Sequence, residues 1–281
     1  MNAKSATTRN WVQTVVTETL ENDPTFRVLS EEPPNVENEQ YITTPVSERA
    51  STGLALGLAL AGKRVLLELP DTGAMTRAAS LLEPWNGQLP MALPVCFLVP
   101  YGTQAKGVDQ PAGRMLCTIP GLTVLCGSTP GAMARLMRFA LQQSGPTLVL
   151  EPRLISGERG QDEAGQDAGS RVAREGRDLT LIGWGDAVST CLDAAETLAV
   201  EGIDAEVIDL EVLSPLDRDT LGESVRRTGR ILIAHDQEPA LADQVRQVSV
   251  DEAFLYLQAP PYTVGACSEA IARAARDSVR Y

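Results

Sequence analysis

The sequence predicts an α/β protein of two domains built on mostly parallel sheets. Three observations carry that expectation. Apolar runs of strand length alternate with longer stretches of helical spacing along the chain. One central stretch, residues 156–170, contains no leucine, valine or aromatic residue. The length of 281 residues suffices for one large core or two ordinary ones.

The elements follow in order. "NWVQTVVTETLEN" reads as a helix, "FRVLSEE" as a strand and "TPVSERASTGLALGLALAG" as a second helix. "KRVLLELP", "LPVCFLVPYG" and "GLTVLCGS" read as strands, "TPGAMARLMRFALQQSG" as a helix and "PTLVLEPR" as a strand. Beyond the glycine-rich, charged stretch "SGERGQDEAGQDAGS", a second α/β series begins. It runs strand "DLTLIGWG", helix "AVSTCLDAAETLAVEG", strand "DAEVIDLEVLSP", helix "DRDTLGESVRRTG" and strand "RILIAHDQ".

Composition narrows the function classes. A net charge of −13 disfavours nonspecific nucleic-acid binding, and no basic stripe interleaved with aromatics occurs. The first residues, "MNAKSATTRNWVQ", lack the apolar centre of a signal peptide, and no apolar run reaches the roughly 18 residues of a membrane span. A soluble, cytoplasmic protein is expected. The five cysteines are scattered, mostly in apolar segments and without a CxxC pair, so buried reduced thiols are expected rather than a zinc cluster.

Several motifs have a structural reading beside a chemical one. "GLALAGKR", residues 57–64, has the GxxxxGK spacing of a phosphate loop but lacks the following Ser or Thr. It also sits where a helix runs into a strand, the reverse of the context that turns helix amides toward phosphate, so Gly62 is expected to end a helix. "LIGWGDAVS" carries Gly183 and Gly185 without a third glycine at dinucleotide spacing, and reads as a tight turn capped by Asp186 or a neighbour. His235, the single histidine, ends an apolar strand beside Asp236 and Glu238. It excludes a multi-histidine metal centre and has both a structural and a catalytic reading.

Glu48 also has two readings. Ser47 and Glu48 have the pattern of an N-cap and a first-turn acid that complements the helix dipole. The following residues, Ala50 to Ala61, are apolar or small all round, which predicts a helix buried on every side. A carboxylate at the end of such a helix loses hydration, and its pKa rises unless a partner compensates, which suits it to proton work.

Taken together, "TPVSERASTGLALGLALAGKRVLLEL", "VPYG", "IPGLTVLCGSTPGAMARLMRFALQQSGPTLVLEPRLI", "REGRDLTLIGWGDA" and "AAETLAVEGIDAEVIDLEVLSPLDRDTLGESVRRTGRILIAHDQ" resemble the β subunit of the thiamine-diphosphate-dependent E1 component of 2-oxo acid dehydrogenases. That subunit type belongs to the transketolase-like superfamily, and the resemblance covers most of residues 10–240. It implies a pyrimidine-binding domain over residues 1–155, a linker over 156–170 and a transketolase C-terminal-like domain over 171–281. It also implies an α-type partner chain in an α2β2 assembly, because the family's Gly-Asp-Gly motif, which holds the diphosphate and its Mg2+, is absent from this sequence. A K+ site near "IPGLTVLCGSTPG", formed largely by carbonyls, is a further feature of the family.

In that resemblance Glu48 falls on the cofactor-activating glutamate. A carboxyl at this place, hydrogen-bonded to N1′ of the aminopyrimidine, favours the imino tautomer that takes the proton from thiazolium C2. Tyr101, in the Pro100–Gly102 turn, and Asp71 are implied to lie at the cofactor. Three departures bear on the substrate. Val108 stands where the family has a histidine that assists the acyl acceptor, and Asp71 stands where a phenylalanine is expected. The C-terminal "LYLQAPPYTVGACSEAIARAARDSVRY" lacks the proline-rich stretch of ordinary E1 β subunits. The expectation is a diverged two-subunit enzyme that cleaves a C–C bond beside a carbonyl and transfers the two-carbon or acyl unit, as in glycolyl transfer to an acyl carrier protein. An ordinary E1 β subunit serving a lipoyl protein, and a non-catalytic scaffold subunit, are the alternatives.

Overall fold

The computed structural model describes residues 3–33, 38–82, 93–102, 113–152, 167–236 and 238–281. The chain divides into two compact units, Met1–Ala168 and Gly169–Tyr281.

The first unit contains α1 (Ala3–Asn22), β1 (Phe26–Ser30), β2 (Tyr41–Thr43), α2 (Glu48–Leu60), β3 (Arg64–Glu68) and α3 (Thr72–Ala79). It continues with β4 (Val95–Tyr101), α4 (Gly113–Cys117), β5 (Thr123–Cys126), α5 (Pro130–Gln142) and β6 (Thr147–Pro152). These strands pair in parallel in the order β5-β6-β4-β3-β1-β2. Their apolar centres, such as Val65–Leu67 and Leu148–Leu150, are buried, as expected of parallel strands covered on both faces. From β2 to β3 and from β3 to β4 the chain steps one way across the sheet, and from β5 to β6 it steps back. Right-handed crossovers therefore place α2 and α3 on one face and α5 on the other. The packing agrees: α2 contacts α3, and α1 contacts α5.

Local chemistry sets the ends of α2. The Ser47 hydroxyl accepts the Ala50 N–H at 3.4 Å, and Glu48 is the first helical residue. At the other end Gly62 takes φ +79°, a left-handed conformation that glycine adopts without a Cβ penalty, and Lys63 N–H returns to the Leu58 carbonyl. The GxxxxGK run is thus a helix end entering β3, with no helix N-terminus for a phosphate. The expected all-round burial of this helix is corrected. Ser51, Thr52, Ala55, Leu56 and Ala59 are buried, whereas Gly53, Leu54, Gly57 and Leu60 are exposed. Small and apolar residues all round do not distinguish a face covered by this chain from one left open.

The second unit contains β7 (Arg171–Arg174), β8 (Leu179–Gly183), α6 (Asp186–Val200), β9 (Ala205–Asp209), β10 (Val212–Ser214) and α7 (Arg218–Thr228). It ends with β11 (Ile231–His235), α8 (Pro239–Ala253), a 3₁₀ turn at Phe254–Tyr256, β12 (Tyr262–Gly265) and α9 (Ser268–Arg280). Its sheet has the order β12-β11-β8-β9-β7 and is parallel except for β7, which runs antiparallel to β9. The turn before α6 departs from the expected cap. Gly185, at φ +52°, occupies the N-cap without a side-chain bond, and Asp186 is the first helical residue. All five cysteines are free thiols; Cys267 is exposed, contrary to expectation, and the other four are buried. Burial pushes the Cys96 and Cys191 thiols up to about 12.

Candidate functional site

Parallel sheets present their chemistry where strands end and helices begin, and the three predicted site residues lie at such places. Glu48 opens α2 after β2, Asp71 precedes α3 after β3, and Tyr101 ends β4. Asp71 is the N-cap of α3, its carboxylate accepting the Ala74 N–H at 2.7 Å. One further turn along α3, Arg77 reaches back. Its Nη2 donates to Glu48 Oε1 at 2.6 Å and lies 4.0 Å from Asp71 Oδ1. A Cβ on Gly73 would stand 3.0 Å from Asp71 Oδ1 and 3.2 Å from Arg77 Nη1, so the absence of a side chain there leaves room for the cluster.

The structure therefore brings Glu48 and Asp71 together through an arginine. Tyr101 is buried at the end of β4, opposite Pro152 of β6. The electrostatics supply the compensating partner that the expected upward push on Glu48 left open. The Arg77 hydrogen bond, followed by the residue's own backbone N–H, holds the Glu48 carboxyl below its usual range and outweighs the opposing effect of burial. Burial is modest, with 28% of the Glu48 side chain and 55% of the Arg77 side chain accessible. Sequence reasoning missed Arg77. The available signal was a lone cation in the otherwise small and apolar helix "TGAMTRAA", whose charge requires a partner or water.

The other candidates are placed as follows. Val108 lies outside the described residues. The stretch 119–131 forms β5 and the start of α5, where Thr129 caps the helix and Pro130 is its first residue. Among the described residues, no group of three His, Cys, Asp or Glu could hold a metal ion. His235 ends β11 half-buried, its Nδ1 has no hydrogen-bond partner among the described residues, and desolvation lowers its pKa. No helix among the described residues is long and apolar enough to cross a membrane.

Residues 4–157 match the transketolase pyrimidine-binding domain, and residues 169–280 match the transketolase C-terminal domain. The chain belongs to the transketolase-like family, whose enzymes depend on thiamine diphosphate. Its relatives include the acetoin:2,6-dichlorophenolindophenol oxidoreductase subunit beta of Cupriavidus necator, 32% identical over 80% of this chain and 73% of that one. They also include the pyruvate dehydrogenase E1 component subunit beta of Staphylococcus epidermidis, 32% identical over 87% of this chain and 80% of that one. Within the family the chain is thus of the E1 β-subunit type. A split-gene transketolase crystallised as an inactive β4 tetramer has the same fold, with a TM-score of 0.78 at 19% identity over 97% of this chain and 98% of that one. Pichia stipitis transketolase, in complex with sedoheptulose 7-phosphate, gives a TM-score of 0.74 at 15% identity, and the match covers 46% of its longer chain.

Proposed function

We propose that this chain is the pyrimidine-side subunit of a two-chain thiamine-diphosphate enzyme, and that Glu48 is the carboxyl that exchanges a proton with the cofactor. The observation that carries this reading is the position of Glu48: the first residue of α2, at the carboxyl end of a parallel sheet, with its side chain still accessible. The donor chemistry fits. Arg77 donates to Oε1 of Glu48, and the carboxyl keeps an accessible side that an aminopyrimidine nitrogen could face. When bound, thiamine diphosphate supplies an acidic thiazolium carbon and an electron sink for C–C cleavage beside a carbonyl.

The residues of this chain have separate tasks in that reading. Glu48 holds and releases a proton at its carboxylate. Arg77 fixes the orientation of that carboxylate and sets its resting charge. Asp71 caps α3 and so fixes the helix from which Arg77 reaches across. A Phe-to-Asp exchange at position 71 replaces ring stacking with this polar support. Excluding water and holding the diphosphate and Mg2+ fall to an α-type partner in an α2β2 assembly, because this chain has no Gly-Asp-Gly motif. K+ near residues 119–131 belongs to the same proposal, as does a cytoplasmic location.

The reaction proposed is transfer of a two-carbon or acyl unit to an acceptor other than the usual lipoyl arm, such as a carrier-protein thiol. Val108 in the family's histidine position supports it. A second reading, a 2-oxo acid or acyloin donor with a lipoyl acceptor, is favoured by the names of the relatives. The test is to co-purify the chain with its α-type partner and supply pyruvate, branched 2-oxo acids, acetoin and ketose phosphates. Acyl transfer to lipoyl and carrier-protein thiols is then followed by mass. Turnover of 2-oxo acids with lipoyl transfer alone overturns the diverged reading. Unchanged C2 proton exchange of bound thiamine diphosphate in Glu48→Gln overturns the role of Glu48.

A further inference from the structure

On the sheet face opposite α2 and α3, the first unit has a partly open cavity of about 680 Å3. Its floor follows from strand register. Val28 pairs with Tyr41, Glu68 with Leu98, and Pro100 with Glu151. Residues paired in parallel strands, and residues two apart along a strand, share a face. These six side chains accordingly line the same cavity. Its roof is α1, which contributes two stripes at i, i+4, i+8 spacing: Val12, Val16 and Leu20 are apolar, and Gln13, Thr17 and Glu21 are polar.

The charge is one-sided. Glu21, Glu68 and Glu151 line the cavity, and among the described lining residues there is no Lys, Arg or His. Glu68 is the informative one. It closes the apolar strand "RVLLE", it is half-buried, and among the described residues its carboxylate has no hydrogen-bonding or ion-pairing partner. Its field reaches across the cavity, since the Tyr41 phenol is pushed up first by burial and then by the Glu68 charge. A carboxylate set beside the apolar side chains of Val28 and Leu98, with no partner among the described residues, offers its charge to a cation that enters the cavity. The volume lies within the roughly 300–1,000 Å3 typical of small-molecule sites.

We propose that this cavity binds a small organic ammonium ligand, its cationic head against Glu68 and its apolar body against the Val12, Val16 and Leu98 walls. The proposal is independent of the role assigned to Glu48. Neutral polar groups of the lining, the Gln13 amide and the Tyr41 hydroxyl, offer partners to the remaining polarity of such a ligand.

The test uses the full chain, with benzylamine, phenethylamine and cyclohexylamine as probes, and benzyl alcohol and benzoate as neutral and anionic counterparts. Isothermal titration and saturation-transfer NMR measure binding. At least one amine is expected to bind saturably, with its uncharged counterpart weaker by about tenfold or more, the scale of a hydrogen bond to a charged group. Glu68→Gln should lower amine affinity by a similar factor, and Val16→Phe should abolish it by filling the cavity from α1. Glu48→Gln should leave it unchanged, which separates this site from the catalytic reading. The proposal is overturned if no amine saturates the wild-type chain, or if benzyl alcohol binds as tightly as benzylamine. It is also overturned if folded Glu68→Gln keeps full amine affinity; should that variant not fold, retained affinity in Val16→Phe overturns it.

Discussion

Replacing Arg77 with glutamine tests the electrostatic frame around Glu48 directly. The two side chains meet at 2.6 Å, but more than half of the Arg77 side chain is in water. Charges about 4 Å apart attract by about 1 kcal/mol in water and about 4 kcal/mol at an effective dielectric near 20. Measured couplings of exposed pairs fall lower, at about 0.2–1 kcal/mol, because solvent screens them and holding two long side chains costs entropy. We therefore expect a coupling of about 0.5 kcal/mol between Arg77→Gln and Glu48→Gln in a double-mutant cycle of urea unfolding at pH 7. The pH dependence has a fixed sign. The folded-state pKa of Glu48 is depressed from 4.5, so the stabilisation is present above that value and is lost as pH falls through the depressed one. In Arg77→Gln the carboxyl should titrate higher than in wild type, read from the Glu48 side-chain carbon by NMR. An unmoved or lower titration, or a coupling that persists fully at pH 2, would refute the assignment of Arg77 as the group that sets the charge of Glu48.

Substitutions at two further positions probe the supporting structure. Asp71→Ala should cost about 1 kcal/mol by removing the α3 cap, whereas Asp71→Asn should keep most of it. Equal losses in the two urea-unfolding curves would mean that the charge matters and the cap does not. In the second unit the fully buried Glu206 accepts hydrogen bonds from Thr180 and Ser224 and pairs with Arg227. Arg227→Met should cost about 3 kcal/mol, the low end of the range for stranding a buried charge, because part of the Arg227 side chain is accessible. A loss under about 1 kcal/mol in denaturant unfolding would show that Thr180 and Ser224 alone satisfy Glu206.

The strand and helix order was readable because each element obeys one period. "VLL" and "LVL" are continuous apolar runs at the centres of strands, and the ends of α2 carry Ser47 and Gly62 in their expected roles. Strand β7, "RVAR", was not readable, because its side chains are largely exposed and its pairing to β9 depends on a chain segment far along the sequence. At the candidate site, Glu48 and the helix it opens were legible. Its partner was not: Arg77 is 29 residues away, and only the crossover from β3 into α3 makes them neighbours. The cavity acids escaped for a related reason. Glu68 and Glu151 end apolar runs in the sequence and look like ordinary strand termini until the register places both on the face beneath α1.

Two corrections about α2 bear on one another. The helix leaves Gly53, Leu54, Gly57 and Leu60 exposed, and the carboxylate at its N-terminus is accessible and held ionised. In the proposed two-chain enzyme these are a single property, because the surface that would meet the α-type partner is also the surface that keeps Glu48 hydrated. Covering it removes water from Glu48 and works against the pull of Arg77, raising the affinity of the carboxyl for a proton. The arginine then limits that rise. A carboxyl with no cation beside it would be pushed up by that burial alone, whereas Arg77 pulls the Glu48 carboxyl the other way. Assembly would thus raise the proton affinity of Glu48 only when the partner, and with it the rest of the cofactor site, is in place.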